Sequence, residues 1–86
     1  MKCMLITVRN ILKLEILTTI CNTKEEAYSK MKTALYDRLK MDGDEKYISM
    51  LEDGIELSNA MLNENEAYIH QDFGETSHHW KIVELE

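Results

Sequence analysis

The amino-acid sequence predicts an α+β fold, a small antiparallel sheet packed on one long and one shorter helix in the order β-β-α-α-β-β. Three observations predict it. Strand-like aliphatic segments stand at both ends of the chain, a long stretch between them has apolar residues at helical spacing, and a shorter helical pattern follows. With 86 residues, we expect one domain over residues 1–86, able to bury about 60–65% of the surface that its unfolded chain exposes.

The first predicted element is a hairpin with strands over residues 4–8 and 12–20 that turn near Arg9-Asn10. In the second strand an apolar row alternates with a more polar one, the period of a strand with one face on a core. The apolar row is Leu12, Leu14, Ile16, Thr18 and Ile20. A helix over residues 9–17 is the alternative, because its aliphatic residues are dense enough for either structure, but the Thr18-Thr19-Ile20 run favours the strand.

This hairpin register decides what we expect of the only two cysteines, Cys3 and Cys21. It places Cys3 opposite the neighbourhood of Ile16, so no disulfide is expected, and two reduced thiols are typical of an intracellular protein. The apolar run at the N-terminus is interrupted by Arg9 and Lys13. It therefore predicts neither a signal peptide nor a membrane helix, and we expect a cytoplasmic protein.

The long helix is predicted from Thr23 to Met41. Its apolar residues recur at i, i+4, i+7, i+8 and i+12, which places them along one helix face. They are Ala27, Met31, Ala34, Leu35 and Leu39. Thr23 can cap the first turn, and Glu26 can reach back to the Thr23 N–H as in a capping box. Strands must cover the apolar face.

The middle of the chain predicts a second, shorter helix. Gly43 suits a left-handed stop for the first helix, and Asp44 could cap the next one, which we expect to end around Asp53-Gly54. Residues 55–63 stay open, because their apolar residues fit a further helical turn or two without a clear pattern.

The last two strands are predicted over residues 67–70 and 79–85, joined by a loop around Gly74 into a hairpin. In the final strand Trp80 and Ile82 share one face, and Val83 and Leu85 share the other. Apolar residues on both faces predict a strand inside the sheet, covered on each side.

The net charge of −6 is unevenly spread, because residues 42–75 hold ten acidic groups and a single basic one, Lys46. An acidic half of this size repels nucleic acid and anionic membranes and would steer the domain towards a basic protein. A solvated surface that serves only solubility is the alternative interpretation.

Three histidines lie close to Asp72 in sequence, which raises the question of a metal site. Adjacent residues on a strand point to opposite faces, so His78 and His79 cannot both reach one ion, and two ligands do not make a tight site. We therefore expect no metal and no cofactor. No phosphate loop or nucleophile motif is present, so we expect no enzyme; a metal-dependent hydrolase using His70, Asp72 and His78 is the remaining catalytic alternative.

Three stretches carry a resemblance to a known family. An aliphatic strand runs into a Thr-led, Glu-rich helix start at Ile20 to Ala27. An acidic turn, Asp42-Gly43-Asp44-Glu45-Lys46, is followed by Leu51 and Gly54. The chain closes with Trp80-Lys81-Ile82-Val83-Glu84-Leu85. In their order and spacing, from about Ile20 to Leu85, these stretches are similar to the small anti-CRISPR proteins that inhibit type II effector nucleases by occupying the HNH nuclease domain.

The resemblance implies a domain that caps the HNH active site and blocks DNA cleavage, with no cofactor and no direct contact to nucleic acid or membrane. In the family, the two residues before the C-terminal tryptophan insert at the nuclease's catalytic centre. They correspond to His78 and His79, where the family has a small hydroxyl residue and a thiol. The implied partner-binding residues are Ser77, His78, His79, Asp42, Asp44 and Glu45.

The resemblance also implies a protein encoded by a phage or another mobile element and acting in the host cytoplasm. The alternative function is an α+β protein-interaction domain, monomeric or homodimeric, with no inhibitory role.

Overall fold

The computed structural model describes residues 2–71 and 76–85, whose strands form one antiparallel sheet of five strands in the order β2-β1-β5-β4-β3. The elements are β1 (Cys3–Asn10), β2 (Leu14–Cys21), α1 (Lys24–Met41), a 3-10 turn (Glu45–Tyr47), α2 (Ile48–Glu52), β3 (Ala60–Leu62), β4 (Glu66–Gln71) and β5 (Thr76–Glu84). The predicted α+β class is confirmed. The order differs by one additional strand, β3.

Helix α1 forms where the apolar spacing predicted it, and local hydrogen bonds define both ends. The Thr23 hydroxyl accepts from the Glu26 N–H at 3.1 Å, while the Glu26 carboxylate accepts from the Asn22 N–H at 2.8 Å, one residue before the predicted donor. At the other end Gly43 takes a left-handed φ of 76°, and the Asp44 N–H donates to the Leu39 carbonyl at 2.8 Å. The Asp44 side chain makes no capping hydrogen bond.

The helix covers one face of the sheet, which we call the inner face. The fully buried helix residues are Ala27, Met31, Leu35 and Leu39, with Ala34 half-buried beside them. They pack with the inward residues of the strands, Cys3, Leu5, Cys21, Ala60, Leu62, Ala67, Ile69, Trp80 and Ile82. Burial of this apolar area is the main stabilising contribution to the fold.

The predicted register of the first hairpin is wrong. The turn lies at residues 11–13 rather than at Arg9-Asn10, so Cys3 stands directly opposite Cys21. Arg9 stays in the strand, and its Nη2 pairs with Glu15 Oε2 at 3.2 Å across the hairpin. The two cysteines are buried free thiols on the inner face.

Residues 55–63 contain the strand that the sequence left undecided. Gly54 adopts a φ of 81° after α2, and the chain then returns to pair Ala60–Leu62 with β4. Ala60 and Leu62 are buried while Met61 between them is half-buried. Three residues of alternation are too short to distinguish a strand from a helical turn by sequence.

Strand β5 pairs with β1 on one side and β4 on the other, which confirms its predicted place inside the sheet. Its predicted cover on both sides is wrong, because Trp80 and Ile82 are buried under α1 but Val83 on the opposite face is only half-buried. No outward-pointing residue of the described strands is buried. This open side is the outer face of the sheet.

Candidate functional site

The two predicted contact histidines lie on opposite faces of β5. His78 is 5% exposed and stacks on Trp80 with ring centroids 5.9 Å apart. His79 is exposed on the outer face and stacks on Tyr68 at 5.6 Å. Pairing of β4 with β5 continues to Gln71 opposite Thr76, so both histidines lie within the strand. Because residues alternate between faces along a strand, these two neighbours point in opposite directions.

His78 forms part of the wall of a groove of about 280 Å³ between the C-terminal half of α1 and the sheet. Arg9 and Arg38 also line the groove. The Arg38 Nε donates to the Gln71 Oε1 at 2.9 Å, which ties the helix to the end of β4. The groove thus joins two guanidinium groups to a buried imidazole.

The His78 imidazole is held neutral. Burial lowers the pKa of His78, and the charges of Arg38 and Arg9 lower it further, against a smaller opposing effect of Asp42. Its Nε2 is buried without a hydrogen-bond partner among the described residues. A neutral, enclosed ring that stacks on Trp80 stabilises the core and is poorly placed to contact a partner.

The acidic turn lies on the groove side of the molecule. Asp42 ends α1 and is close enough to raise the pKa of His78 against the two arginines. Asp42 and Glu45 are exposed, and Asp44 is half-buried, with its carbonyl accepting from the Tyr47 N–H at 3.0 Å. The structure therefore brings Asp42 near His78, whereas Ser77 and His79 belong to the outer face.

On the outer face three rings form a cluster that sequence reasoning missed as a unit. We call Tyr68, His70 and His79 the aromatic cluster. The His70 and His79 rings lie 5.1 Å apart, and the Tyr68 and His70 rings 5.2 Å apart in an edge arrangement. The signal was present in the pairing of two alternating strands, which places Tyr68 opposite His79 and His70 opposite Ser77.

Two members of the aromatic cluster, His79 and Tyr68, have pKa values shifted towards their neutral forms. Burial lowers the pKa of His79, and the neighbouring His70 lowers it further, while Glu66 opposes both. Burial raises the pKa of the Tyr68 hydroxyl, as does Glu56, whose Oε1 accepts its hydrogen bond at 3.4 Å. The neutral imidazole of His79 offers both a donor and an acceptor beside an apolar ring face, a combination suited to contact with a protein.

The structure does not assemble the metal-binding trio of the hydrolase alternative. His70 points to the outer face and His78 to the inner face, and Asp72 lies outside the described residues. No group of three or more metal-ligating side chains occurs within residues 2–71 and 76–85.

A second exposed surface lies at the edge of the sheet. Six of the eight large hydrophobic residues that are exposed in the described part of the chain fall within residues 11–20. They are Ile11, Leu12, Leu14, Ile16, Leu17 and Ile20. The alternating apolar row of β2, which is typical of a strand with one face on a core, points away from the core here. Cys21 takes the inner face instead because it pairs with Cys3.

Within the described residues, no helix has both the length and the apolar character needed to cross a membrane. Comparison with known protein families, curated proteins and solved structures finds no match to this chain.

Proposed function

We propose that this protein is an inhibitor that binds another protein. Its partner is the HNH nuclease domain of a type II CRISPR effector, whose DNA cleavage it blocks. The uncovered outer face is the observation that supports protein binding, because none of the outward side chains of the described strands is buried. The resemblance of residues 20–85 to HNH-binding anti-CRISPR proteins supplies the partner, the mobile-element origin and the host cytoplasm as the compartment.

The aromatic cluster and Ser77 are the proposed contact centre. Aromatic residues with a polar edge contribute strongly to interfaces when they are desolvated at the centre of the contact. His79 is the most accessible of the three rings and corresponds to a family insertion residue, so it is the residue that reaches a catalytic group of the nuclease. His78 has a different role, since its ring is buried and stacks on Trp80.

The acidic turn contributes to the rate of association. Exposed carboxylates at Asp42 and Glu45 attract a basic partner over distance, and charges outside the centre of a contact alter the association rate more than the final affinity. The acidic turn thus attracts the basic nuclease, and the outer face forms the contact with it.

The decisive experiment compares His79→Ala with Lys40→Ala in a DNA cleavage assay with a type II effector. Lys40 is exposed at the C-terminal end of α1, away from the outer face, so it is a control for removing an exposed polar side chain. We expect His79→Ala to keep its melting temperature and lose inhibition, while Lys40→Ala inhibits like the wild type. DNA binding by the effector should persist throughout.

Two results would contradict the proposal at different levels. Full inhibition by His79→Ala would contradict the proposed contact centre without contradicting the proposed partner. If the wild-type protein bound no isolated HNH domain in calorimetry, the partner itself would be wrong.

An interaction domain without inhibitory role is the second candidate. The exposed aliphatic residues of β2 favour it, because that surface is separate from the aromatic cluster and suits a partner of another kind.

A further inference from the structure

Strand β2 is an edge strand with unusually little protection. Among the described strands it is hydrogen-bonded to β1 alone, over eight consecutive residue pairs without a bulge. Edge strands normally carry proline, bulges or charges that prevent pairing with another chain. Here β2 has no proline, and its single charged residue, Glu15, is already paired with Arg9.

At the opposite edge of the sheet, strand β3 is protected from pairing with another chain. Strand β3 spans only Ala60–Leu62, two of its three residues are buried, and α2 packs beside it. Every residue of β2 from Ile16 to Ile20 is exposed. The open edge is therefore confined to one side of the protein.

We propose that a second copy of this chain covers β2, through antiparallel pairing of the two β2 strands about a twofold axis at Leu17. The two sheets then become one continuous sheet with twice the five strands of a single copy. Pairing along a strand edge satisfies the open backbone N–H and C=O groups. A twofold axis closes the assembly, so no further edge is left to recruit more copies through β2.

The sequence of β2 is complementary to itself in this register. With Leu17 opposite its own copy, Leu14 meets Ile20 and Ile16 meets Thr18 on the outer face. Glu15 meets Thr19 on the inner face, so the two acidic groups do not oppose each other. Like charges placed directly opposite each other would destabilise the pair, and aliphatic or β-branched pairs stabilise it.

Charge and area both permit this contact. The protein carries −6 overall, but residues 11–22 hold only Lys13 and Glu15, so β2 is a neutral strip on an acidic molecule. A stable interface buries about 1,200 Å² or more in total, about 600 Å² from each copy. The four exposed aliphatic side chains of β2 itself, Leu14, Ile16, Leu17 and Ile20, are between 47% and 64% exposed and provide the apolar part of that area.

The dimer contact does not depend on the proposed nuclease contact. The two contacts should differ in their response to salt. Two acidic copies repel each other, so added salt should strengthen self-association by screening that repulsion. Binding of an acidic protein to a basic nuclease should weaken under the same change. Opposite responses to salt therefore distinguish the two contacts.

Sedimentation equilibrium of the full chain across a wide concentration range tests the proposal. We expect a reversible monomer–dimer equilibrium that shifts to dimer with salt. Ile16→Lys and Leu17→Lys should each shift it towards monomer by at least tenfold in dissociation constant, since the Leu17 variant places two cations on the axis. Thr33→Lys, the same charge added at an exposed position of α1, should leave the dimer unchanged.

Site-specific cross-linking tests the axis. With oxidised glutathione as the oxidant, Leu17→Cys should form a disulfide-linked dimer, whereas Leu12→Cys, which is more exposed but lies in the turn, should not. Melting temperatures show that each variant is folded. A wild-type protein that stays monomeric at every concentration and salt would overturn the proposal, as would a dimer that both lysine variants leave intact.

Discussion

The two faces of the sheet differ in what covers them, although the same strands build both. On the inner face, Leu35 of α1 is fully buried and Trp80 is 5% exposed, while on the outer face Ile16 remains 63% exposed. His78 and His79 are adjacent in the chain and experience this difference directly, one inside the core and one in the aromatic cluster. The contrast shows that one helix stabilises the fold on one side and leaves the other side of the sheet uncovered in the described residues.

The largest expected effect separates the two faces by stability. Leu35→Ala removes a fully buried side chain at the centre of α1 and should lower the free energy of unfolding by about 2–5 kcal/mol, a large share of a small domain's total. Ile16→Ala on the outer face should change the free energy of unfolding of the monomer by no more than about 0.5 kcal/mol, measured at protein concentrations too low for the proposed dimer to form. Chemical denaturation measures both, and equal losses would contradict the assignment of the two faces.

The helix cap should have a smaller effect. The Thr23 hydroxyl accepts one hydrogen bond from the Glu26 N–H at the start of α1, and Thr23→Ala should cost about 1 kcal/mol. Thr23→Ser keeps the hydroxyl and is the matched control in the same denaturation experiment. If both substitutions cost the same, the loss would come from the methyl group rather than from the cap.

The two histidines should also differ in their contribution to pH dependence. The folded pKa of His78 lies below its unfolded value of about 6.5, so below that pH the unfolded chain binds more protons and stability falls as the solution is acidified. His78→Phe should flatten the fall between pH 7 and the folded pKa. His79→Phe should change the pH profile less, because the pKa of His79 is also lowered but its ring is more exposed than that of His78. Thermal melts at a series of pH values measure both profiles. If His78 were solvated, His79→Phe would change the profile more than His78→Phe.

The acidic turn should alter association rates without altering the fold. Asp42→Asn with Asp44→Asn should slow binding to the nuclease domain several-fold and make its rate less dependent on salt. Inhibition at high concentration should persist. Stopped-flow or surface-based kinetics measure the rate, and an unchanged association rate would show that the acidic turn serves solubility alone.

The smallest expected effect concerns metal at the outer face. His70 and His79 are close, but two imidazoles alone bind zinc weakly, so a chelator should leave the melting temperature unchanged. Elemental analysis of the purified protein should find no stoichiometric zinc. One zinc per chain that is lost in His70→Ala would restore the hydrolase alternative.

Sequence reasoning worked best where structure is local. The apolar spacing from Ala27 to Leu39, the hydroxyl of Thr23 and the left-handed Gly43 each act within a few residues, so they predicted α1 and its ends. It left β3 undecided, because three residues are too short to show a period. It also separated Tyr68, His70 and His79, because only the pairing of β4 with β5 brings them together.

By itself, then, the sequence determined the α+β class, the long helix and the position of β5 between two other strands. The tertiary structure alone decided the hairpin register that places Cys3 opposite Cys21, and the face to which each row of β2 points. The physical reason is that a strand alternates with a period of two and can turn either row inward. Which row loses its contact with water is decided only when α1 docks on the sheet and Cys21, rather than Ile20, lies beneath it.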